Sequence, residues 1–224
     1  RLQRAGLLVI PVTGRPAGWC DLIARQWPVD AVVGVNGAFW FRYDDKTRVM
    51  TRRFLRPDAQ RAEDRRKLDV IANEVLTTIP RSALASDQGY RAVDLAIDFR
   101  EDVEPLPAED IDRIVEVFER HGATAKVSSI HVNGWFGSHD KLTCSLALLR
   151  DAFGIDGDKD RDRVVFAGDS PNDQPMFAYF PNAMGVANVG DFLDRITDLP
   201  AYVTKAASAQ GFAELAELLI SARK

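Results

Sequence analysis

The sequence predicts an α/β protein that has a parallel-sheet core and an inserted α+β module. Two short apolar runs, 7–12 and 31–35, flank a helical stretch, and this spacing is typical of a βαβ unit with parallel strands. Residues 38–136 instead mix alternating strands with amphipathic helices. Strand–helix alternation then resumes and continues to the end of the chain. The predicted division is therefore a discontinuous core, 1–37 and 137–224, and an inserted domain, 38–136.

The first apolar run predicts a fully buried strand, and it is followed by Thr13-Gly14-Arg15-Pro16. Pro16 suits the first turn of a helix, which we expect to reach about Trp27. The loop before it would present a hydroxyl, free backbone N–H groups and a guanidinium at a helix N-terminus, an arrangement that suits an anion. An ordinary cap by Thr13 beside a solvated Arg15 is the alternative interpretation, which these residues taken alone slightly favour.

The inserted module begins after the second apolar run, which ends in Asn36-Gly37-Ala38. Its periodicities predict a hairpin over 39–54, helices over 64–79 and 107–121, and strands over 92–99 and 124–136. Alternation along the last strand turns Ser129, His131, Asn133 and Trp135 away from the helices. Polar groups beside an aromatic ring suit a hydroxyl-rich ligand. A solvent-exposed sheet face with a structural histidine is the alternative.

Two further segments of the core place charged groups at element ends. The spacing predicts a helix over 142–153, with Lys141 in its first turn, where a cation opposes the helix dipole unless an anion binds beside it. A solvated surface lysine is the alternative. The run 164–167 predicts a buried strand, broken by Gly168 and followed by Asp169-Ser170-Pro171-Asn172-Asp173.

Asp169 and Asp173 would stand at the carboxyl end of that strand, the edge where open α/β sheets bind ligands. Two carboxylates there repel each other unless a cation neutralises them, and Mg²⁺ prefers oxygen ligands of this kind. Asp169 capping the next helix is the competing interpretation. Short strands near 183–187 and 201–204, a short helix near Phe192 and a helix from about Phe212 to Ala222 complete the predicted core.

Composition limits the function classes. The formal net charge is −4 with both signs interspersed, which argues against a nucleic-acid footprint. No apolar run approaches the ~20 residues that a membrane span needs. The two cysteines, Cys20 and Cys144, stand outside any metal-ligand spacing and predict reduced thiols in a cytoplasmic protein. The oligomeric state is left open.

Three segments together resemble motifs of the haloacid dehalogenase (HAD) superfamily: Thr13-Gly14-Arg15, Lys141, and Gly168-Asp169-Ser170-Pro171-Asn172-Asp173. The inserted module resembles the large cap domain of the type IIB branch, which includes sucrose-phosphate and mannosyl-3-phosphoglycerate phosphatases. The resemblance covers essentially the whole chain. It implies a Rossmann-like core with an inserted α+β cap domain, and a Mg²⁺-dependent phosphatase acting on a small phosphorylated sugar or related metabolite.

The resemblance also implies residue roles. Thr13, Gly14, Lys141 and Asn172 would bind phosphoryl oxygens, and Lys141 and Asp173 would serve catalysis. Asp169 and Asp173 form the implied metal site, with Asp169 as the direct ligand. Positions implied to contact substrate are Arg15, Asn36, His131 and Asn133.

One departure from the family concerns the nucleophile. The family forms a phosphoaspartate on an Asp-x-Asp-Gly-Thr stretch, and this sequence contains none. Because Arg1–Gly6 looks like the end of a helix, we expect a strand and a helix to precede it and the polypeptide 1–224 to be inactive alone. Two alternatives stay open: a phosphomutase of the same fold, which the short Gly-Asp-Ser-Pro-Asn-Asp loop disfavours, and a non-catalytic protein that binds a phosphorylated ligand.

Overall fold

The structure, a computed structural model, describes residues 1–223 and is a mixed α/β fold. Its strands are β1 Val32–Gly34, β2 Phe39–Asp44, β3 Val49–Phe54, β4 Ala83–Leu84, β5 Asp94–Asp98, β6 Thr124–Val127, β7 His131–Trp135, β8 Val165–Gly168, β9 Asn182–Gly185 and β10 Tyr202–Val203. Its α-helices are α1 Ala17–Gln26, α2 Asp58–Thr78, α3 Ala108–Arg120, α4 Lys141–Phe153, α5 Gln174–Tyr179 and α6 Ser208–Ser221. Short 3-10 helices lie at Gln3–Ala5, Val35–Gly37, Gln88–Tyr90, Arg161–Arg163, Pro171–Asp173 and Ala187–Arg195.

The chain forms two compact units. The first contains residues 1–14, 23–53 and 139–223, and the second contains residues 15–22 and 54–138. The division at 37/38 and 136/137 inferred from the sequence stays a prediction. Within residues 1–223, no helix combines the length and the apolar character that crossing a membrane requires.

The first unit contains the parallel sheet, in the order β10-β9-β8, and a second sheet, in the order β1-β2-β3, in which β1 and β2 are antiparallel. The segment 7–12 differs from the expected buried strand. It makes a parallel bridge to β1 only at Val12–Val33, and Leu8 is 47% exposed. The predicted parallel relation between the two segments is therefore confirmed at this bridge, but a single continuous parallel sheet is not formed by the residues that the structure describes.

Helix α4 is the element that positions Lys141. Asp140 caps its N-terminus, because the carboxylate accepts the backbone N–H of Thr143 at 2.8 Å, and Gly154 ends it with a φ of +65°. Cys144 and Leu148 are fully buried and pack with Ala31, Val33 and Trp40 of the β1–β2 region. The core that anchors this helix is thus built from the hairpin that precedes it by a hundred residues.

The second unit packs α2 and α3 on the antiparallel sheet β4-β5-β7-β6. Leu95, Ile97 and Phe99 lie in its core, as the alternation predicted. The strand predicted over 124–136 is instead the hairpin β6–β7. Its turn forms because the Ser128 hydroxyl oxygen accepts the N–H of His131 and the hydroxyl donates to the carbonyl of the same residue, both at 2.9 Å.

Candidate active site

The loop after β8 is held by the carboxylate of Asp173. Its Oδ2 accepts the backbone N–H of Asp169 at 2.9 Å and of Ser170 at 3.1 Å, and the Ser170 hydroxyl at 3.1 Å. This reciprocal arrangement is a capping box at the start of the Pro171–Asp173 turn. A Cβ on Gly168 would lie 2.6 Å from that carboxyl group, so glycine is needed for this close approach.

Lys141 pairs with the other oxygen of the same carboxylate. Its Nζ donates to Asp173 Oδ1 at 2.6 Å and to Asn172 Oδ1 at 3.0 Å. The Lys141 and Asp173 side chains are 8% and 4% exposed, so both charges are withdrawn from water and depend on each other. The negative charge of Asp173 in the loop after β8 is therefore offset by Lys141, the first residue of α4.

Asn36 links this cluster to the first predicted loop. Its Oδ1 accepts from Asn172 Nδ2 at 3.1 Å, and its backbone N–H donates to the carbonyl of Thr13 at 3.0 Å. A Cβ on Gly14 would lie 3.3 Å from the Asn36 amide, which is a tight approach. The Thr13 N–H, expected to be free for an anion, instead donates to the carbonyl of Val33 at 2.9 Å.

Among the carboxylates of this cluster, Asp169 has the most unused hydrogen-bond acceptor sites. Its Oδ2 accepts from Asn188 Nδ2 at 2.8 Å, while Oδ1 makes no hydrogen bond within residues 1–223, and the residue is partly exposed. Asn188 is held in turn, since its Oδ1 accepts the N–H of Ser208 at 3.0 Å. Sequence reasoning missed Asn188, although it follows the parallel strand β9 at the same sheet edge as Asp169, and that position was the available signal.

The donor chemistry of the cluster fits a hard divalent cation. Asp169 offers Oδ1, which accepts no donor within residues 1–223, whereas Asp173 accepts one donor at Oδ1 and three at Oδ2 and so keeps at most one lone pair, on Oδ1. Mg²⁺ takes oxygen ligands and usually keeps several waters, so one or two carboxylates suffice. The residues present therefore suit Mg²⁺ bound through Asp169, with Asp173 beside it as an anchor.

The structure thus brings Thr13, Gly14, Asn36, Lys141, Asp169, Asn172 and Asp173 into one chain of contacts in the first unit. The remaining predicted residues belong to the second unit. There the guanidinium of Arg15 lies 5.5 Å from the centroid of the Trp19 ring, and Asn133 Oδ1 accepts from Arg91 at 3.3 Å. His131 is buried, with Nε2 2.9 Å from Glu101 Oε2.

A buried carboxylate stands next to His131. Asp98 lies opposite it across β5 and β7 and is fully buried. Burial alone raises the pKa of this carboxyl, but the backbone N–H groups of Glu101, Asp102 and Arg100 outweigh that effect and hold its pKa below the ordinary range. Asp98 is consequently a well-stabilised anion, which sequence patterning gave no reason to single out.

No family model and no curated protein sequence matches this chain. Solved structures do, over nearly its whole length: the fold is that of HAD subclass IIB sugar phosphatases. One match is the sucrose-phosphatase of Synechocystis sp. PCC6803, determined with sucrose and phosphate, at 14% identity and a TM-score of 0.61, covering 97% of this chain and 86% of that one.

Two further structures extend this result. The HAD subclass IIB sugar phosphatase BT4131 is 13% identical, with a TM-score of 0.60, covering 97% of this chain and 88% of the other. A Thermoplasma acidophilum protein, 0175, is 17% identical, with a TM-score of 0.65, covering 97% and 84%. At these identities the likeness establishes the fold, and the predicted resemblance is confirmed at that level.

Proposed function

We propose that this protein is a Mg²⁺-dependent phosphatase that hydrolyses a phosphate monoester of a sugar or a related metabolite. The observation that carries the proposal is the contact network joining Asn36, Lys141, Asn172 and Asp173, with Asp169 at its end. These residues are remote in sequence, and they meet after β8 of the parallel sheet, at the edge where open α/β sheets bind ligands.

Each residue has a distinct role in this proposal. The Lys141 ammonium, with Thr13, Gly14 and Asn172, binds phosphoryl oxygens and holds their charge through the transition state. Asp169 ligates Mg²⁺, which would neutralise phosphoryl charge when bound. Asp173 positions Lys141 and fixes the loop that carries Asp169, because its two oxygens accept from both.

None of the residues named above is assigned as the nucleophile that attacks phosphorus. A phosphatase of this fold class forms a phosphoaspartate, and no Asp-x-Asp-Gly-Thr stretch occurs in the sequence. We therefore place the nucleophilic carboxylate outside residues 1–224 and expect that polypeptide to bind phosphate and Mg²⁺ without hydrolysing the ester. Substrate selection is assigned to Asn36 and, in the second unit, to Arg15 and Asn133, by analogy with a relative whose structure contains sucrose and phosphate.

A non-catalytic phosphate-binding protein is the second candidate, and the absence of that Asp-x-Asp-Gly-Thr stretch favours it. The two functions share the Lys141–Asp169 cluster and differ only in turnover. Steady release of phosphate therefore separates them, whereas binding measurements do not.

The test is a screen of the full-length protein against phosphorylated sugars with Mg²⁺, followed by the Asp169→Ala variant on the best substrate. We expect phosphate release that Asp169→Ala lowers by at least about 100-fold, because the metal-borne charge stabilisation is lost. Asp194→Ala, which removes an exposed carboxylate of the same unit, is the matched control and should retain activity. Equal activity in both variants would refute the metal assignment.

A further inference from the structure

A second cluster of ligand-type side chains lies in the second unit. One donor atom from each of Asp98, Glu101 and His131 lies within 4.8 Å of the other two. The register of the sheet brings two of them together, because Asp98 in β5 is directly opposite His131 in β7. Glu101 follows Asp98 by three residues, in the turn where the chain leaves the strand.

The burial and hydrogen bonding of the His131 side chain indicate that its Nε2 atom has room for a further partner. Its side chain is only 8% exposed, and its Nε2 atom is buried without a hydrogen bond among the described residues. Glu101 Oε2 is 2.9 Å away, yet it lies off the direction in which a hydrogen bond to this nitrogen can form. A buried imidazole nitrogen rarely stays unsatisfied, so this atom needs an occupant that both groups can face.

Asp98 is pre-organised for the same occupant. Its Oδ1 accepts the backbone N–H groups of Arg100 and Glu101, and its Oδ2 accepts that of Asp102, each at 2.8 Å. A carboxylate offers about four lone-pair sites, so one on Oδ2 remains for a further partner. The three bonds also fix the turn from which Glu101 extends.

We propose that Asp98, Glu101 and His131 bind a divalent transition-metal ion, for which Zn²⁺ is the representative probe. One imidazole and two carboxylates form a mixed nitrogen and oxygen set, which suits Zn²⁺, whereas Mg²⁺ and Ca²⁺ prefer oxygen alone. The two negative charges balance the ion. Glu101, whose side chain is 43% exposed, leaves a route for entry and for a water in the fourth position.

The ion joins the turn after β5 to the start of β7, so its effect is structural. It also replaces the substrate-binding role that the sequence predicts for His131, since a metal-bound and buried imidazole is not available to a sugar. The site is built from other residues than the Asp169 cluster and stands whether or not the protein is a phosphatase.

Calorimetric titration of the metal-free protein with Zn²⁺ tests this site. We expect one Zn²⁺ per chain at the site, with an affinity that His131→Asn lowers by about 100-fold or more and Glu101→Gln by at least about 10-fold, since even loss of an outer-shell partner costs 10–100-fold. Glu101→Gln keeps the shape of a partly exposed side chain and guards against a fold defect in the His131 variant. Mg²⁺ in place of Zn²⁺ should give no heat that depends on these residues.

The matched control is His121→Asn. His121 also faces a glutamate, since its Nε2 lies 2.7 Å from Glu74 Oε2, but among the residues that the structure describes it belongs to no group with a second carboxylate. This variant should bind Zn²⁺ as the unmodified protein does. Co²⁺ bound in place of Zn²⁺ should give a visible d–d band that His131→Asn removes. Absence of binding, or equal affinity in folded His131 and Glu101 variants, would overturn the proposal and leave an ordinary ion pair.

Discussion

The pairing of Lys141 with Asp173 shows how one contact can serve both stability and a site. Both side chains are nearly buried, and each offsets a charge that would otherwise be costly in a low-dielectric environment. A buried ion pair of this kind contributes little net stability when intact but makes the loss of either partner expensive. The same contact holds the ammonium beside Asn172, where the proposed function places the phosphoryl group.

Lys141→Met should lower the free energy of unfolding by about 3 kcal/mol, because it leaves the Asp173 carboxylate buried without its cation. The double variant Lys141→Met/Asp173→Asn should be more stable than the single one, since it removes the uncompensated charge. Urea denaturation measures both. Lys159→Met, at a lysine whose side chain is 84% exposed, serves as a control and should stay within about 0.5 kcal/mol of the unmodified protein. A Lys141 variant as stable as this control would contradict the interpretation.

Both cysteine side chains are fully buried in the folded state. Burial raises the pKa of the Cys20 and Cys144 thiols to about 12 from an ordinary 9.0, so both are protonated at neutral pH. Because the unfolded thiols ionise above about pH 9 and the folded ones do not, this pair should destabilise the fold progressively between pH 9 and about 12. Below pH 9 the thiols are protonated in both the folded and the unfolded protein, so they add no pH dependence to the stability.

The corresponding measurement is thiol labelling at pH 8. Both cysteines should react slowly in the folded protein, with rates that rise steeply through the denaturant transition. Cys144→Ser should leave one slow thiol and a smaller loss of stability at high pH. Rapid labelling of either thiol under native conditions would contradict the burial of that side chain.

At the level of elements, the start of α4 depends on a glycine in a different segment. Gly37 has a φ of +109°, and a Cβ there would lie 1.9 Å from the carbonyl oxygen of Asp140, the residue that caps α4. A shift of the backbone at residue 37 would move Asn36, and a shift at residue 140 would move Lys141. The loop after β1 and the helix start therefore fit each other only while residue 37 has no side chain.

Gly37→Ala should accordingly destabilise the protein by roughly 3 kcal/mol or more, from the sum of backbone strain and the clash. Gly122→Ala is the matched control: Gly122 has a φ of +76° but open space around its Cβ position, so it should cost only about 1 kcal/mol. Thermal unfolding of the two variants gives the comparison. Equal losses would mean that strain alone, and not the approach to Asp140, makes glycine necessary.

Elements with a clear hydrophobic periodicity could be predicted from the sequence. Elements that depend on how strands pair with one another could not. The helices expected over 107–121 and 142–153 are confirmed within a residue or two at each end. The strand expected over 124–136 was wrong, because the alternation continues through Ser128 and Ser129 and hides a turn made by a hydroxyl. The run 7–12 is apolar throughout, yet burial depends on neighbours that sequence alone does not reveal.

At the scale of the whole molecule, the sequence could predict that charged residues from distant segments meet at one edge of the sheet. An α/β core places the carboxyl ends of strands and the N-termini of helices at one edge, so the expectation that Lys141, at a helix start, meets Asp169 and Asp173, after a strand, followed from the predicted topology. Asn188 required knowing that β9 neighbours β8, and the Asp98–His131 pair required the register of an antiparallel sheet. Such contacts between strands are set by tertiary packing, which local patterns do not encode.

The assembled cluster makes a prediction about the polypeptide 1–224 as a unit. A ligand that binds only the folded state stabilises it by about 2.7 kcal/mol at a hundredfold excess over its Kd, which corresponds to roughly 5–10 °C in Tm for a chain of this size. Mg²⁺ and orthophosphate together should produce such a shift. Asp169→Asn should reduce the shift by removing the metal ligand, and Lys141→Met by removing the phosphate-facing cation, whereas Gly122→Ala should lower Tm and keep the shift. A shift of equal size in all three variants would place the phosphate elsewhere on the protein, because a site made by Lys141 and Asp169 cannot be indifferent to the loss of either charge.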